Sequence, residues 1–170
     1  MRSRPSSAIL PALQKQNDEV LIRRAIELAR DSVRTGGGPF GALVVRDGRV
    51  LAEGQNRVTV RNDPTAHAEI VAIREACQSL GSFRLEGCTI YASCEPCPMC
   101  LAAIYWSRAE RLVFACTRGD AARAGFDDER IYREIAGVPD LRKLSTAQLL
   151  REEGQSAFTD WSLASERQDY

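Results

Sequence analysis

Hydrophobic positions in the first part of the chain recur at the spacing of an amphipathic helix. Between Asn17 and Gly36, apolar residues return every three or four positions, which predicts a helix capped by Asn17 or Asp18. Residues 1–16 lack this periodicity, and we expect a loose arm there. The glycine run at 36–38 is where the helix is predicted to end.

Shorter apolar runs in the middle of the chain predict strands, and longer periodic segments predict two further helices. Asp47-Gly48, between two apolar runs, is typical of a tight hairpin turn. A loop is predicted over 57–64. The predicted strands are 40–45, 50–53, 88–93 and 111–115, and the predicted helices are 66–80 and 98–106.

The last part of the chain has a weaker pattern. A short helix is predicted up to Ile135, residues 147–150 are interpreted as a strand rather than a helix, and an amphipathic segment ends the chain. Helices that alternate with short strands are typical of an α/β layered domain. No linker or repeat interrupts residues 17–170, so we expect them to form one domain.

Composition and charge narrow the classes of partner. The 170 residues include 23 Lys and Arg and 23 Asp and Glu, so the formal net charge is zero. Phosphate contacts dominate nucleic-acid affinity and favour a basic excess, so a small substrate is favoured over a polyanion. No apolar run approaches the length of a membrane span or a signal peptide. The six cysteines therefore indicate free or metal-bound thiols in a reducing, cytoplasmic compartment.

Two short stretches contain the residues predicted to carry the chemistry. Residues 65–69 read TAHAE and residues 93–100 read SCEPCPMC. Together they spell the His-x-Glu and Pro-Cys-x-x-Cys pattern of zinc-dependent nucleobase deaminases. His67 is the only histidine in the chain. With Cys97 and Cys100 it forms a three-ligand set, typical of a catalytic zinc site whose fourth position holds water.

The spacing of these residues suits hydrolysis. Cys97 and Cys100 lie three positions apart near a predicted helix start, where their sulfurs converge and the helix terminus stabilises thiolate. Bound zinc lowers the pKa of its water to about 7, which supplies zinc-bound hydroxide as the nucleophile. Glu69 is not needed as a ligand. Its carboxylate is predicted to carry a proton from the water to the ring nitrogen and then to the leaving ammonia.

The residues alone leave alternatives open. Cys94 is the candidate fourth ligand of a purely structural zinc, although we expect it to pack or to support the ligands. Glu95 is expected to orient the turn, with substrate contact as the alternative. Phe40 and Trp106 suit either packing in the core or stacking on a flat base. The core is slightly favoured for Phe40, and neither role is favoured for Trp106. A zinc-stabilised binding module is opposed by the presence of Glu69.

These residues resemble the cytidine deaminase superfamily and, within it, the compact bacterial guanine deaminases. The resemblance runs from about Asp18 to Tyr170. Three of its stretches are largely shared with tRNA adenosine deaminases, namely GGPFGA at 37–42, NDPTAHAE at 62–69 and SCEPCPMC at 93–100. A fourth, DAARAGFDDERIY at 120–132, is similar to guanine deaminases and unlike the tRNA enzymes.

The resemblance implies a three-layer α/β/α sandwich around a mixed five-stranded sheet. It implies deamination of guanine to xanthine and ammonia with one Zn²⁺ per subunit. By this resemblance Asn56 would hold the purine, and Asp128 would accept hydrogen bonds from its N1 and amino edge. Without it, Asn56 is interpreted as a turn residue and Asp128 as a helix cap. These enzymes exchange a C-terminal segment in a homodimer, and the corresponding segment here is about 152–170. Tyr170 would therefore reach the partner's site. Without the resemblance, Tyr170 is interpreted as part of a frayed terminus.

The chemistry of the bases favours guanine. Guanine donates from N1 and from its C2 amino group, whereas adenine presents an unprotonated N1, so adenine would leave an acceptor at Asp128 unpaired. One alternative is a tRNA adenosine deaminase, which the zero net charge and the Phe-Asp-Asp sequence at 126–128 oppose. The other is a deaminase of a different aminated heterocycle.

Overall fold

A computed structural model of the chain describes residues 9–137 and 143–168. Residues 1–8 of the predicted arm lie outside the described residues. The chain clusters into two units, Met1–Asp128 and Glu129–Tyr170. The elements of the first unit are α1 (Ile9–Arg34), β1 (Gly41–Arg46), β2 (Arg49–Gln55), α2 (Val58–Arg61), α3 (Ala68–Leu80), β3 (Cys88–Cys94), α4 (Pro98–Trp106), β4 (Arg111–Cys116) and α5 (Arg118–Arg123). Those of the second are α6 (Glu129–Ala136) and α7 (Arg151–Leu163).

The first unit is built on a mixed sheet with the strand order β2-β1-β3-β4. Strand β1 pairs antiparallel with β2 and with β3, and β3 pairs parallel with β4. Asp47 and Gly48 have positive φ angles of 52° and 74°, which confirms the predicted hairpin turn. Since β2, β3 and β4 run in the same direction, their carboxyl ends lie at one edge of the sheet.

Helices cover both faces of this sheet. Successive residues of a strand point to opposite faces, and the core divides accordingly into two clusters. The cluster on the α1 face contains Leu28, Leu43, Val45 and Tyr91. The cluster on the α3 and α4 face contains Ala42, Val44, Ala68, Ala72, Ile90 and Ile104. The predicted α/β architecture with a mixed sheet is confirmed.

The predicted fifth strand at 147–150 is wrong, and the described residues form four strands. Leu150 instead adopts the left-handed conformation, with φ 53° and ψ 39°, immediately before α7. That conformation interrupts an extended backbone. No other segment in the described part of the second unit is a strand, so no segment of that unit supplies the ladder partner that a strand requires.

Helix α1 begins at Ile9, well before the predicted cap at Asn17 or Asp18. The last of the added residues, Gln14, Lys15 and Gln16, are polar and exposed, so no apolar stripe leads back from the predicted start. Asp18 lies inside the helix, where its carboxylate accepts hydrogen bonds from Tyr91 at 2.6 Å and from Arg111 at 2.6 and 2.9 Å. The Arg111 guanidinium holds the pKa of Asp18 well below its usual range. This cluster joins α1 to β3 and β4.

The remaining predicted elements of the first unit agree with the observed bounds to within about two residues. Two short helices were not predicted. Helix α5 is one of them, and α2, which occupies part of the predicted loop, is the other; its C-cap residue Asn62 adopts a left-handed conformation with φ 50°. Helix α4 has the predicted bounds. Among the described helices, none has the length and apolar character needed to cross a membrane.

Candidate active site and metal centre

The starts of two helices bring the predicted metal ligands together. His67 is the N-cap residue of α3, Cys97 is the N-cap residue of α4, and Cys100 lies in the first turn of α4. Close packing of α3 on β2 depends on Gly54, because a Cβ there would lie 2.0 Å from the carbonyl oxygen of Ala68. A residue with a side chain would push the first turn of α3, and His67 with it, away from the sheet.

The three ligand atoms have the spacing of a tetrahedral zinc site. His67 Nδ1 lies 3.5 Å from the Sγ atoms of both Cys97 and Cys100. With Zn–S near 2.3 Å and Zn–N near 2.0 Å, tetrahedral angles put nitrogen and sulfur about 3.5 Å apart. Cys94 does not belong to this group, and its Sγ lies 3.5 Å from the carbonyl oxygen of Thr117 as a hydrogen-bond donor. The described residues therefore form a three-ligand site.

The protonation of the cluster suits a divalent cation. Hydrogen bonds from Cys100 and from His67 lower the pKa of Cys97 to about 4. The hydrogen bond to Cys97 and burial raise the pKa of Cys100, and the bond to Cys97 raises the pKa of His67. The lowered pKa of Cys97 favours its thiolate. A metal ion displaces the protons of such a cluster, because it binds thiolates and neutral imidazole.

Glu69 is buried beside the ligands. It lies in the first turn of α3 and is 6% exposed. Burial raises the pKa of its carboxyl, and the negative charge of Cys97 raises it further. The thiol of Cys100 is also a hydrogen-bond partner of this carboxyl. A carboxyl with a raised pKa next to a metal centre is suited to accept and return a proton.

Asn56 lies directly after β2, and the oxygen of its side-chain amide is engaged in hydrogen bonds to the protein. It is 6% exposed, and its Oδ1 accepts from the amides of Gly38 at 3.2 Å and Val58 at 3.3 Å. Its backbone carbonyl accepts from Ser32 Oγ at 2.9 Å. A Cβ on Gly37 would lie 2.1 Å from that carbonyl oxygen, so the glycine run is needed for this contact. The Nδ2 hydrogens are the part of Asn56 available to a ligand.

The segment that follows α5 supplies an aromatic ring and a carboxylate. The rings of Phe40 and Phe126 meet edge to face, with centroids 5.0 Å apart and planes at 86°. Burial raises the pKa of Asp128, two residues beyond Phe126, and the negative charge of Cys97 raises it further. Asp128 is therefore within electrostatic reach of the metal ligands.

The structure does not bring Trp106 to the metal ligands. Trp106 ends α4, and at 1.5 Å per residue it lies about 13 Å along the helix axis from Cys97. It is 60% exposed, so it does not belong to the core. Tyr170 lies outside the described residues. The substrate-binding roles of both stay predictions.

Sequence analysis did not identify two residues that support the site, Ser32 and Phe126. Ser32 lies four positions after Leu28, on the apolar stripe of α1, and is fully buried. A hydroxyl at a core position of a helix needs a partner, and this was the available signal. Phe126 had no such signal. It meets Phe40 because Gly125, with φ 92°, turns the chain at the end of α5.

Comparisons with known proteins agree with this geometry. The family described as the cytidine and deoxycytidylate deaminase zinc-binding region matches residues 15–116. The chain belongs to this family. Since the family binds zinc and the three donors have the spacing of zinc, the metal of this site is zinc.

The relatives extend the similarity beyond the motifs. Guanine deaminase from Bacillus subtilis (strain 168) is 49% identical over 155 residues, which cover 91% of this chain and 99% of that protein. A crystal structure of guanine deaminase from Bacillus subtilis superposes with a TM-score of 0.87, covering 89% of this chain and 98% of that chain at 49% identity. The tRNA-specific adenosine deaminase of Haemophilus influenzae is 39% identical, covering 72% of this chain and 75% of that protein.

We expect Cys100→Ser to remove zinc, because a serine hydroxyl does not supply the anionic sulfur that the site requires. Metal analysis of the purified protein should give about one zinc per chain for the wild type and less than about a tenth of that for the variant. Cys94→Ser is the matched control and should retain full zinc. Loss of zinc from the control would mean that Cys94 is a ligand.

Proposed function

We propose that the protein is a guanine deaminase that hydrolyses guanine to xanthine and ammonia. The observation that carries this proposal is the extent of the match. The 155 aligned residues out of 170 reach past Asp128 into the last part of the chain, whereas the alignment with the tRNA-specific relative covers 129 residues. The zero net charge further supports a small base as substrate rather than tRNA.

The reaction exchanges the C2 amino group of guanine for oxygen. Zinc held by His67, Cys97 and Cys100 supplies the Lewis acidity that makes water nucleophilic near neutral pH. Glu69 takes a proton from the attacking water and delivers it to N3 of the ring. It then takes the proton of the new C2 hydroxyl and delivers it to the amino group. The C2–O bond forms, the C2–N bond breaks and ammonia leaves, so guanine and water give xanthine and ammonia.

The base is held by groups around the metal. The Nδ2 hydrogens of Asn56 donate to an acceptor on the ring, and Asp128 accepts from N1–H and the adjacent amino group. Zinc neutralises the thiolate charge that contributes to the raised pKa of Asp128, which favours the ionised, accepting form. Phe40, with Phe126 against its edge, stacks on the base. Trp106, at the other end of α4, is proposed as a second stacking surface.

The proposed working form is a homodimer that exchanges the segment of about 152–170. None of the residues of α7 is buried, and Phe158 and Leu163 are 74% and 78% exposed. Exposed apolar side chains on a helix favour contact with another chain. The exchange would bring Tyr170 to the partner's site. The six thiols, all free, support a reducing, cytoplasmic location.

The proposed function is tested by ammonia release from guanine, guanosine, adenine, cytosine and tRNA, with the zinc-loaded protein at equal substrate concentrations. We expect ammonia from guanine. Glu69→Gln, which has nearly the same shape but cannot carry the proton, should lower kcat by at least about a hundredfold and keep its zinc.

Ammonia from tRNA but not from guanine would reject the proposed substrate. Loss of zinc from Glu69→Gln would instead show that Glu69 supports the metal and would remove it from the proton-transfer role.

The proposed exchange predicts complementation between two inactive chains. Glu69→Gln and a chain lacking Tyr170, co-expressed with different tags and purified through both, should form mixed dimers with one intact site. These should show about half the wild-type activity, because one of two symmetric sites is complete. Each variant alone should be nearly inactive. Inactive mixed dimers, or full activity without Tyr170, would contradict the exchange.

A further inference from the structure

Glu95 joins the loop of the metal ligands to the end of the neighbouring strand. It lies between β3 and Cys97, at the edge of the sheet where β4 also ends. Its amide donates to the carbonyl oxygen of Cys116 at 2.8 Å. Its side-chain Oε2 accepts from the amide of Arg118 at 3.0 Å. One residue therefore holds the segment after β4 through both its backbone and its carboxylate.

Arg118 is the first residue of α5, so this contact anchors a helix. Thr117 and Asp120 form a capping box at the same helix start, with Thr117 N to Asp120 Oδ2 at 2.8 Å and Asp120 N to Thr117 Oγ1 at 3.3 Å. At the other end of α5, the amide of Phe126 donates to the carbonyl oxygen of Ala121 at 3.0 Å. Hydrogen bonds thus cap α5 at both ends. A shift of Arg118 at its start is therefore expected to move the residues that follow α5.

The residues that follow α5 are those that the proposed function places near the base. The ring of Phe126 supports Phe40, and Asp128 lies within electrostatic reach of Cys97. The hydrogen bond between Glu95 and Arg118 is consequently a direct side-chain link between the zinc loop and the base-facing segment. A carboxylate suits this place, because charge-assisted bonds to amides at a helix start are favourable.

We propose that Glu95 is a positioning residue that sets the placement of Phe126 and Asp128 relative to the zinc site, and thereby the affinity for the base. This inference rests on the function proposed above. Glu95 does not belong to the ligand group, so its loss should leave the metal in place. The backbone bond to Cys116 and the β3–β4 ladder also persist when its side chain is removed.

The test compares Glu95→Ala with Glu95→Gln. Glu95→Ala should raise KM for guanine about tenfold, since it loses one charge-assisted bond, and lower kcat by less than about threefold. Its zinc content should match the wild type, and hydrogen exchange of the peptide 117–126 should become faster. Glu95→Gln keeps the oxygen acceptor and loses only the charge, so every value should stay within about twofold of the wild type.

The donor side of the bond offers an independent pair of variants. Arg118→Pro removes the amide hydrogen at the first position of a helix, where proline is tolerated. The preceding Thr117, with φ −89° and ψ 164°, already has the conformation required before proline. Arg118→Ala is the reference for loss of the side chain. Relative to it, Arg118→Pro should raise KM as Glu95→Ala does, and the double variant Glu95→Ala, Arg118→Pro should add no further increase.

The proposal would be overturned if Glu95→Ala left KM and hydrogen exchange unchanged. It would also be overturned if Glu95→Gln showed the same defect, or if Glu95→Ala lost its zinc. If Glu95→Ala does not fold, the comparison of Arg118→Pro with Arg118→Ala tests the proposal instead. If the wild type releases no ammonia from guanine, the proposed function fails. In that case hydrogen exchange of 117–126 still decides whether Glu95 holds α5.

Discussion

The convergence of one imidazole and two thiols on a single point is the constraint on which the rest of the site depends. The 3.5 Å separations between His67 Nδ1 and the two Sγ atoms require two helix starts to lie side by side. Strand β2 sets the position of α3 through the close contact at Gly54, where a Cβ would lie 2.0 Å from α3. Strand β3 leads directly into α4. The sheet therefore fixes the metal geometry before any metal binds, which lowers the cost of binding it.

The same sheet edge collects the groups that we propose hold the base. Because β2, β3 and β4 run in one direction, Asn56, the ligand loop and the segment leading to Asp128 all leave the sheet on one side. Ligands commonly bind at the carboxyl ends of strands for this reason. The metal centre suits deamination of several bases, so the choice among them falls to groups that arrive on other segments. We propose that the placement of these groups relative to zinc determines the affinity and selectivity for the base.

Much of this architecture was predictable because it depends on local patterns. The ligand spacing, the Asp47-Gly48 turn and the bounds of α4 follow from residues close in sequence. The orientation of the Asn56 side chain was not predictable. It depends on the backbone amides of Gly38 and Val58 and on the hydroxyl of Ser32, which folding brings together. The false strand at 147–150 arose from apolar residues without a pairing partner, since strand formation depends on a distant neighbour.

We propose that zinc and Asp128 act together on one base: the metal activates water, and the carboxylate accepts a hydrogen bond from N1–H. The most direct measurement compares kcat/KM for guanine and 1-methylguanine, which lacks that hydrogen, in the wild type and in Asp128→Asn. We expect the wild-type preference for guanine to fall by at least about tenfold in the variant, as a charge-assisted bond is lost. An unchanged preference, with zinc retained, would contradict the account.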